Sequence, residues 1–370
     1  MITGTASLPL HSGKAPGWLM KRMKGLANEM TKLIVDYKGE KYFFQLISNP
    51  YWFQSFGCVL GFDWHSSGLT TTTIAALKSI NNDELDIKIA GGKGKAHKVQ
   101  NEIENLADKM NLNEHKLSAL KYYSKMSAKV DNVLVQDDFN LYHHSIIFSK
   151  KYWAVIQQGK NNSWARRYHW LSDNVQKITI EPHSGIQSEK VKQKVLNMTS
   201  KDNKEHQKIS VDLVNDNPEH VFKYFSKQRT LNEFTSKSYN QDLKMPKNHY
   251  IEYFKLSKQA REALKKAYEI KPKDYEELIA IKGLGKSSIR ALALVSELVY
   301  GKELSWKDPA KYSYAHGGKD GTPFPVKRRT YDKTIEFLKE TIKELSLNKN
   351  EKKQALMRLA KVLEVKSHAE

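Results

Sequence analysis

Hydrophobic and polar positions follow two periods along this chain. A helical pattern opens at about Trp18 (WLMKRMKGLANEM), and a shorter one is suggested from Lys41 to Ile47. Asn49-Pro50 then punctuates the chain ahead of the apolar run YWFQSFGCVLGF. Leu85 to Ala90 alternates as a strand does and runs into Gly91-Gly92-Lys93-Gly94-Lys95. Residues 98–130 return to the helical period through Val99, Ile103, Leu106, Met110, Leu117 and Leu120, and are expected to cover a sheet. Val133–Val135, Ser145–Ser149 and Tyr152–Gln158, rich in β-branched and aromatic residues, predict strands, the last two turning at Lys150-Lys151. Lys177–Glu181 is a further strand candidate. From about Ser184 the chain is lysine-rich and helical until Met245-Pro246 breaks the pattern; helices are then expected at 255–270, from Asp274, and from Ser287 or Ser288 to Gly301. Two charged amphipathic helices make the tail, 330–365.

The predicted class is an α/β N-terminal half, a small mixed sheet covered by helices, followed by an all-α region and C-terminal helices. The divisions implied are residues 1–184, a helical connector 185–245, a helical domain 246–305, and a loop with a helical hairpin at 306–370.

The stretch DYEELIAIKGLGKSSIRALALVSELVYG, 274–301, is the most directly legible. Asp274 is a plausible N-cap, with Glu277 in the capping-box position. Two short helices joined by Gly283-Leu284-Gly285 resemble the helix-hairpin-helix family of DNA-binding modules. Two glycines allow a tight turn that points backbone N–H groups at a phosphate oxygen, with Lys282, Lys286 and Ser287 beside it and Leu284 plugged into the core. An ordinary αα-hairpin is the plain alternative. Such a module reads backbone, not sequence, and leaves the reaction open.

Charge adds to this picture. Lys and Arg total 61 against 41 Asp and Glu, a formal charge of +20 that favours a polyanionic partner. The single cysteine, Cys58, cannot form an intramolecular disulfide, so a reducing cytoplasm is the expected compartment. No apolar run approaches a membrane span, so no membrane partner is expected.

Candidate chemistry gathers in three places. Asp63 and His65 share a face if residues 62–65 are extended, as a catalytic or metal-holding pair or as a core pair. The loop carrying Lys93 and Lys95 is a candidate phosphate cradle without Walker A spacing. The predicted hairpin gathers Asp137, Asp138, His143 and His144 at one end, and Gln157, Gln158, Lys160, Asn161, Arg166, Arg167 and His169 at the other. In the loop 309–329, Tyr312 and Tyr314 offer stacking platforms, and Lys319, Arg328 and Arg329 offer phosphate partners.

The blocks LPLHSGKAPGWL, PYWFQSFGCVLGFDWHSSGLTTT and IAGGKGK resemble an archaeal and bacterial family catalogued as a domain of unknown function, number seven-six-three. That resemblance runs nearly end to end and implies a family without an activity. The 144–161 hairpin also resembles the phospholipase-D-like motif at His144 and Asn161, but Ile146 replaces the motif's Lys and Lys151 its Asp. A degraded restriction-endonuclease-like core is similar to Asp137 or Asp138 with Gln158-Gly159-Lys160, in which Mg²⁺ would activate water.

The expectation is a DNA-binding protein acting as a metal-dependent nuclease in DNA processing or repair. Asp137, Asp138 and His144 would hold Mg²⁺ or Mn²⁺; His143, Gln158, Asp63 and His65 are further catalytic candidates; Arg166, Arg167 or Lys160 would meet the phosphate. A metal-free route would make His144 the nucleophile and recruit His143, His65 or a homodimer partner's His144 as the acid. A non-catalytic architectural DNA binder, or an RNA-processing factor, is the alternative.

Overall fold

The computed structural model describes residues 15–62, 67–82, 85–94, 97–161, 164–188, 192, 194–226, 256–310 and 312–313, with scattered helical residues between 336 and 357. A sheet with strand order β1-β3-β4-β5-β6-β8 forms its middle layer, and helices cover both faces. The strands are β1 Lys88–Lys93, β3 Asn140–Phe148, β4 Trp153–Lys160, β5 Ala165–Leu171, β6 His183–Ser188 and β8 Tyr312–Ser313. Neighbours are antiparallel except β6 and β8, which run parallel, so the sheet is mixed as expected. A small ladder pairs β2 Val135–Gln136 with β7 Leu196–Asn197.

One face lies under α1 Gly17–Lys38, α2 Glu40–Ile47, α3 Pro50–Val59 and α4 Gly68–Leu77, through a core that includes Phe44, Phe53, Ile89, Ile147, Ala154 and Ile156. The punctuation at Asn49-Pro50 is a helix start. The Asn49 side chain accepts from the N–H of Tyr51 (2.9 Å) and Trp52 (3.2 Å), while Pro50 occupies a first-turn position where no N–H is needed. The other face lies under α5 His97–Lys109 and α6 Glu114–Val133. Its core runs on without a break from Ile146, Val155 and Trp170 into the C-terminal helices. Those are α7 Lys204–Asp216, α8 Pro218–Ser226, α9 Lys258–Ile270, α10 Tyr275–Ala280 and α11 Lys286–Tyr300. Helical region and sheet therefore bury their apolar faces against each other.

Several expectations change in detail. Lys150-Lys151 does form the hairpin turn. Its chemistry comes from Ser149, whose Oγ accepts from the N–H of Lys151 (3.1 Å) and Tyr152 (2.9 Å). Residues 165–171, read as a polar hairpin end, form a fully buried central strand. Lys177–Glu181 makes only an isolated bridge, Lys177 to Ile180, and the next strand is β6, which spans the expected boundary at 184. The glycine run at 91–94 is no open cradle: Gly91, Gly92 and Lys93 lie within β1 opposite Ser145, His144 and His143, and the Gly91 N–H donates to Glu102 Oε2 (2.8 Å). Among the described residues no helix is long and apolar enough to cross a membrane.

Gly91 is the backbone position least tolerant of change. It sits at φ +92°, and a Cβ there would lie 2.3 Å from the His144 carbonyl oxygen. Gly91→Ala is expected to cost about 3 kcal/mol or more, from left-handed strain and steric overlap together. An unchanged urea midpoint in that variant would contradict the placement of β1 against β3.

Candidate functional site

Side chains of a strand alternate between faces, so adjacent residues of the candidate site separate. His144, Gln157, Arg166, Tyr168, Trp170 and His183 face α6, whereas His143, Gln158, Arg167, His169 and Gln187 face α3 and α4. Asp137, Asp138, His143, His144 and Gln158 do not meet at one centre. The register pairs His144 with Gln157 and His143 with Gln158, one residue away from the geometry a shared centre required.

On the α6 face, two polar networks are buried. In the first, Asp131 of α6 accepts from Gln157 Nε2 (2.5 Å), Trp170 Nε1 (2.9 Å) and His183 Nε2 (2.5 Å). Gln157 in turn accepts through Oε1 from His144 Nδ1 (2.9 Å), which leaves His144 Nε2 to accept from Ser124 Oγ (2.9 Å). The His144 tautomer is set by these partners, since an amide oxygen can only accept. Burial holds the His144 imidazole below its ordinary range, opposed by Gln157 and Asp131.

The second network is an ion triad with no exposed side chain. Arg166 donates to Asp137 Oδ2 (3.0 Å) and, in bidentate fashion, to Asp308 at 2.8 and 2.7 Å. Tyr168 OH donates to Asp137 Oδ2 at 2.6 Å. Burial pushes the Asp137 carboxyl up, against the pull of Arg166 and Tyr168; burial would lower the Arg166 guanidinium, but Asp137 and Asp308 outweigh it and hold it above its ordinary value.

On the opposite face Arg167 is the hub. Its guanidinium donates to His169 Nε2 (2.9 Å), Thr70 Oγ1 (3.0 Å), Gln54 Oε1 (2.8 Å) and Gln187 Oε1, and lies 4.6 Å from the Phe53 ring. Gln158 donates to the Ser67 carbonyl (2.8 Å) and to Tyr142 OH, and accepts from Thr70 Oγ1. Burial and Arg167 push His169 well below its ordinary range. His143 is 1% exposed and neither ring nitrogen has a partner among the described residues. Burial, then His144, Arg167 and nearby lysines, lower it to about 3.

These placements correct the expected roles. Arg166 and Arg167 are buried and engaged, so neither is a surface phosphate contact. Asp138 is 83% exposed, at φ +65°, and pairs with Lys192 at 2.8 Å. Asp137 is committed to Arg166, and His144 to Ser124 and Gln157, so Asp137, Asp138 and His144 do not form a metal-holding set. Among the described residues no three His, Cys, Asp or Glu side chains come together to hold a metal ion. Asp63, His65, Lys95, Tyr314, Lys319, Arg328 and Arg329 lie outside the described residues, as does the side chain of Tyr312, whose backbone pairs with Gln187. Lys93 is exposed on β1, and Lys160 is exposed at the end of β4, opposite Asn140.

Asp131, His183 and Asp308 were not singled out by sequence reasoning. Leu120, Ser124, Ser127 and Asp131 recur at helical spacing and are all buried, so a polar stripe on the inward face of α6 was a legible signal for Asp131.

The architecture is thus a mixed α/β protein whose sheet is polar at its centre on both faces and shares its core with a helical hairpin region. More closely, the model for the family of proteins of unknown function DUF763 matches residues 4–326, and the chain belongs to that family. No curated protein and no solved structure matches the chain.

Two outcomes follow for the buried charges. An unfolded histidine titrates near 6.5 and folded His143 near 3, so the unfolded chain takes up the extra proton first and His143 costs stability progressively as pH falls through that window. His143→Leu is expected to be near neutral at pH 7.5 and to flatten the fall in urea midpoint between pH 6.5 and 4; a fall as steep as in the parent chain would show that His143 is not buried neutral. Asp308→Asn leaves Arg166 with one carboxylate and is expected to cost roughly 3–5 kcal/mol at neutral pH, read from the same unfolding curves.

Proposed function

We propose that this protein grips the nucleic-acid backbone through the 281–286 hairpin, as a helix-hairpin-helix module does. Asp274 caps α10 through its carboxylate, which accepts from the Glu277 N–H (2.8 Å), and Leu284 is buried as the plug between the helices. Gly283 takes φ +96°, the conformation that demands glycine. Gly285 is different: at φ −125° it is extended, and a Cβ there would meet nothing within 4 Å.

That open space above Gly285 carries the proposal. Gly285 is the N-cap of the 15-residue α11 and brings no side-chain cap, so the first-turn N–H groups of the helix face a place that a phosphate oxygen can enter. Lys282 stands exposed beside it. Lys286 reaches Asn140 Oδ1 at 3.3 Å, and Asn140 pairs with Lys160, so the hairpin continues a cationic edge of the sheet. Lys129 holds the turn in place by donating to the carbonyls of Leu284 (2.6 Å) and Ile281 (3.3 Å).

Phosphodiester hydrolysis is a second reading, favoured by the buried imidazole of His143, which has no partner on either ring nitrogen among the described residues and shares a sheet face with His169 and Arg167. Incubation of end-labelled DNA with Mg²⁺, Mn²⁺ or EDTA separates it from binding alone; intact DNA under every condition removes the nuclease reading and leaves the clamp.

For the clamp, Gly285→Val is expected to keep the circular dichroism and thermal midpoint of the parent while weakening duplex DNA binding about tenfold or more. Lys282→Gln should lower the slope of log K against log salt by about one. Parental affinity and slope in both folded variants would end the assignment.

A further inference from the structure

The turn between α10 and α11 brings two of its carbonyl oxygens to one point. Ile281 O and Leu284 O lie 3.3 and 2.6 Å from a single atom, Nζ of Lys129 on α6. Backbone carbonyls gathered in this way are ligands of a hard cation, and here a side-chain ammonium fills the position. A third carbonyl is held from the same part of the chain, because Gln136 Nε2 donates to Lys286 O (3.0 Å).

The charge on Lys129 is poorly matched. Among the described residues it has no carboxylate partner, and its hydrogen bonds run to the two turn carbonyls. Burial, and then the like charge of Lys125 one helical turn earlier, hold it below the ordinary lysine range. Lys282 and Lys286 add two further cations at the same turn. What this arrangement lacks is an anion.

The peptide plane says where the anion sits. A trans peptide points its C=O and its N–H to opposite sides, so an ammonium on the Leu284 carbonyl leaves the Gly285 N–H directed away from it. The N–H groups of Gly285, Lys286 and Ser287 have no acceptor among the described residues. A cation on the oxygen polarises the peptide and strengthens its N–H as a donor. An anion on that N–H lies no more than about 8 Å from Nζ, close to one Debye length at physiological salt.

We propose that Lys129 is a built-in counter-cation of the hairpin. Its ammonium occupies a carbonyl site that a free metal ion would otherwise take, and it acts through the Leu284–Gly285 peptide on a backbone phosphate held at the N-terminus of α11. The inference rests on the clamp reading and adds to it that the clamp works without a free cation. Lys129 is thus a positioning residue, supplied by the helix that covers the sheet and not by the hairpin itself.

The test measures duplex DNA binding by the full chain in potassium and in tetramethylammonium at equal ionic strength. Potassium can enter between two carbonyls and the bulky cation cannot. The parent is expected to bind equally in both. Lys129→Ala empties the position; it should bind about tenfold more weakly in tetramethylammonium and regain about threefold or more in potassium. Lys129→Met keeps the packing of the side-chain stem without its charge, and should bind about tenfold more weakly in both salts at the parental thermal midpoint. That variant carries the test if Lys129→Ala does not fold. Parental affinity in Lys129→Met, a parent that itself requires potassium, or a folded Lys129→Ala unmoved by potassium would each overturn the inference. Gly285→Val reports on the clamp alone. Weakened binding there beside parental affinity in Lys129→Met removes the counter-cation and leaves the clamp, whereas parental affinity in Gly285→Val removes the clamp and this role with it.

Discussion

The Asp137–Arg166–Asp308 triad is the constraint on which the rest of the structure depends. It joins three distant parts of the chain: the turn after β2, the central strand β5, and the segment that leaves α11. All three side chains lie out of water, where the desolvation cost of each charge is several kcal/mol and is offset only by close geometry and further hydrogen bonds. Those bonds are present. Asp308 also accepts from the N–H of Lys192 (2.7 Å) and Ala310 (3.0 Å), Asp137 from that of Phe139 (3.1 Å), and Arg166 Nε donates to Ser188 Oγ (3.2 Å). The triad thus seats the 304–310 segment against the sheet.

The pleat of the sheet explains why the polar centre divides into separate networks. Arg166 and Arg167 are neighbours in sequence, yet one closes an ion triad under α6 and the other gathers Gln54, Thr70, His169 and Gln187 under α3 and α4. His143 and His144 divide in the same way, and their surroundings differ accordingly: His144 has a partner on each nitrogen and His143 has none among the described residues. Alternating β3 residues pack Ile146 and Phe148 into one core and Ile147 into the other, so each face of the sheet is sealed by its own helices. Buried polar networks of this kind rigidify a sheet when satisfied and mark a ligand or a titrating group where they are not.

What the sequence determined by itself was local. The helical periods of α1, α5, α6 and α11, the Asp274 cap and the glycine turn at 283 are short-range effects of capping, backbone freedom and amphipathic spacing, and they stand in the structure as read. Family membership was legible for the same reason, in contiguous blocks of residues. Strand β5 was not, because a strand buried on both faces that carries Arg166, Arg167 and His169 has no apolar alternation to find. The candidate site escaped for a related reason. Crowding of Asp, His and Gln along the chain says nothing of which face each takes, and the period of two in a strand sends adjacent residues apart. Only the tertiary structure could bring Asp131 to His183 across 52 positions and Arg166 to Asp308 across 142, because those contacts are decided by the order and register of the strands rather than by anything near them in sequence.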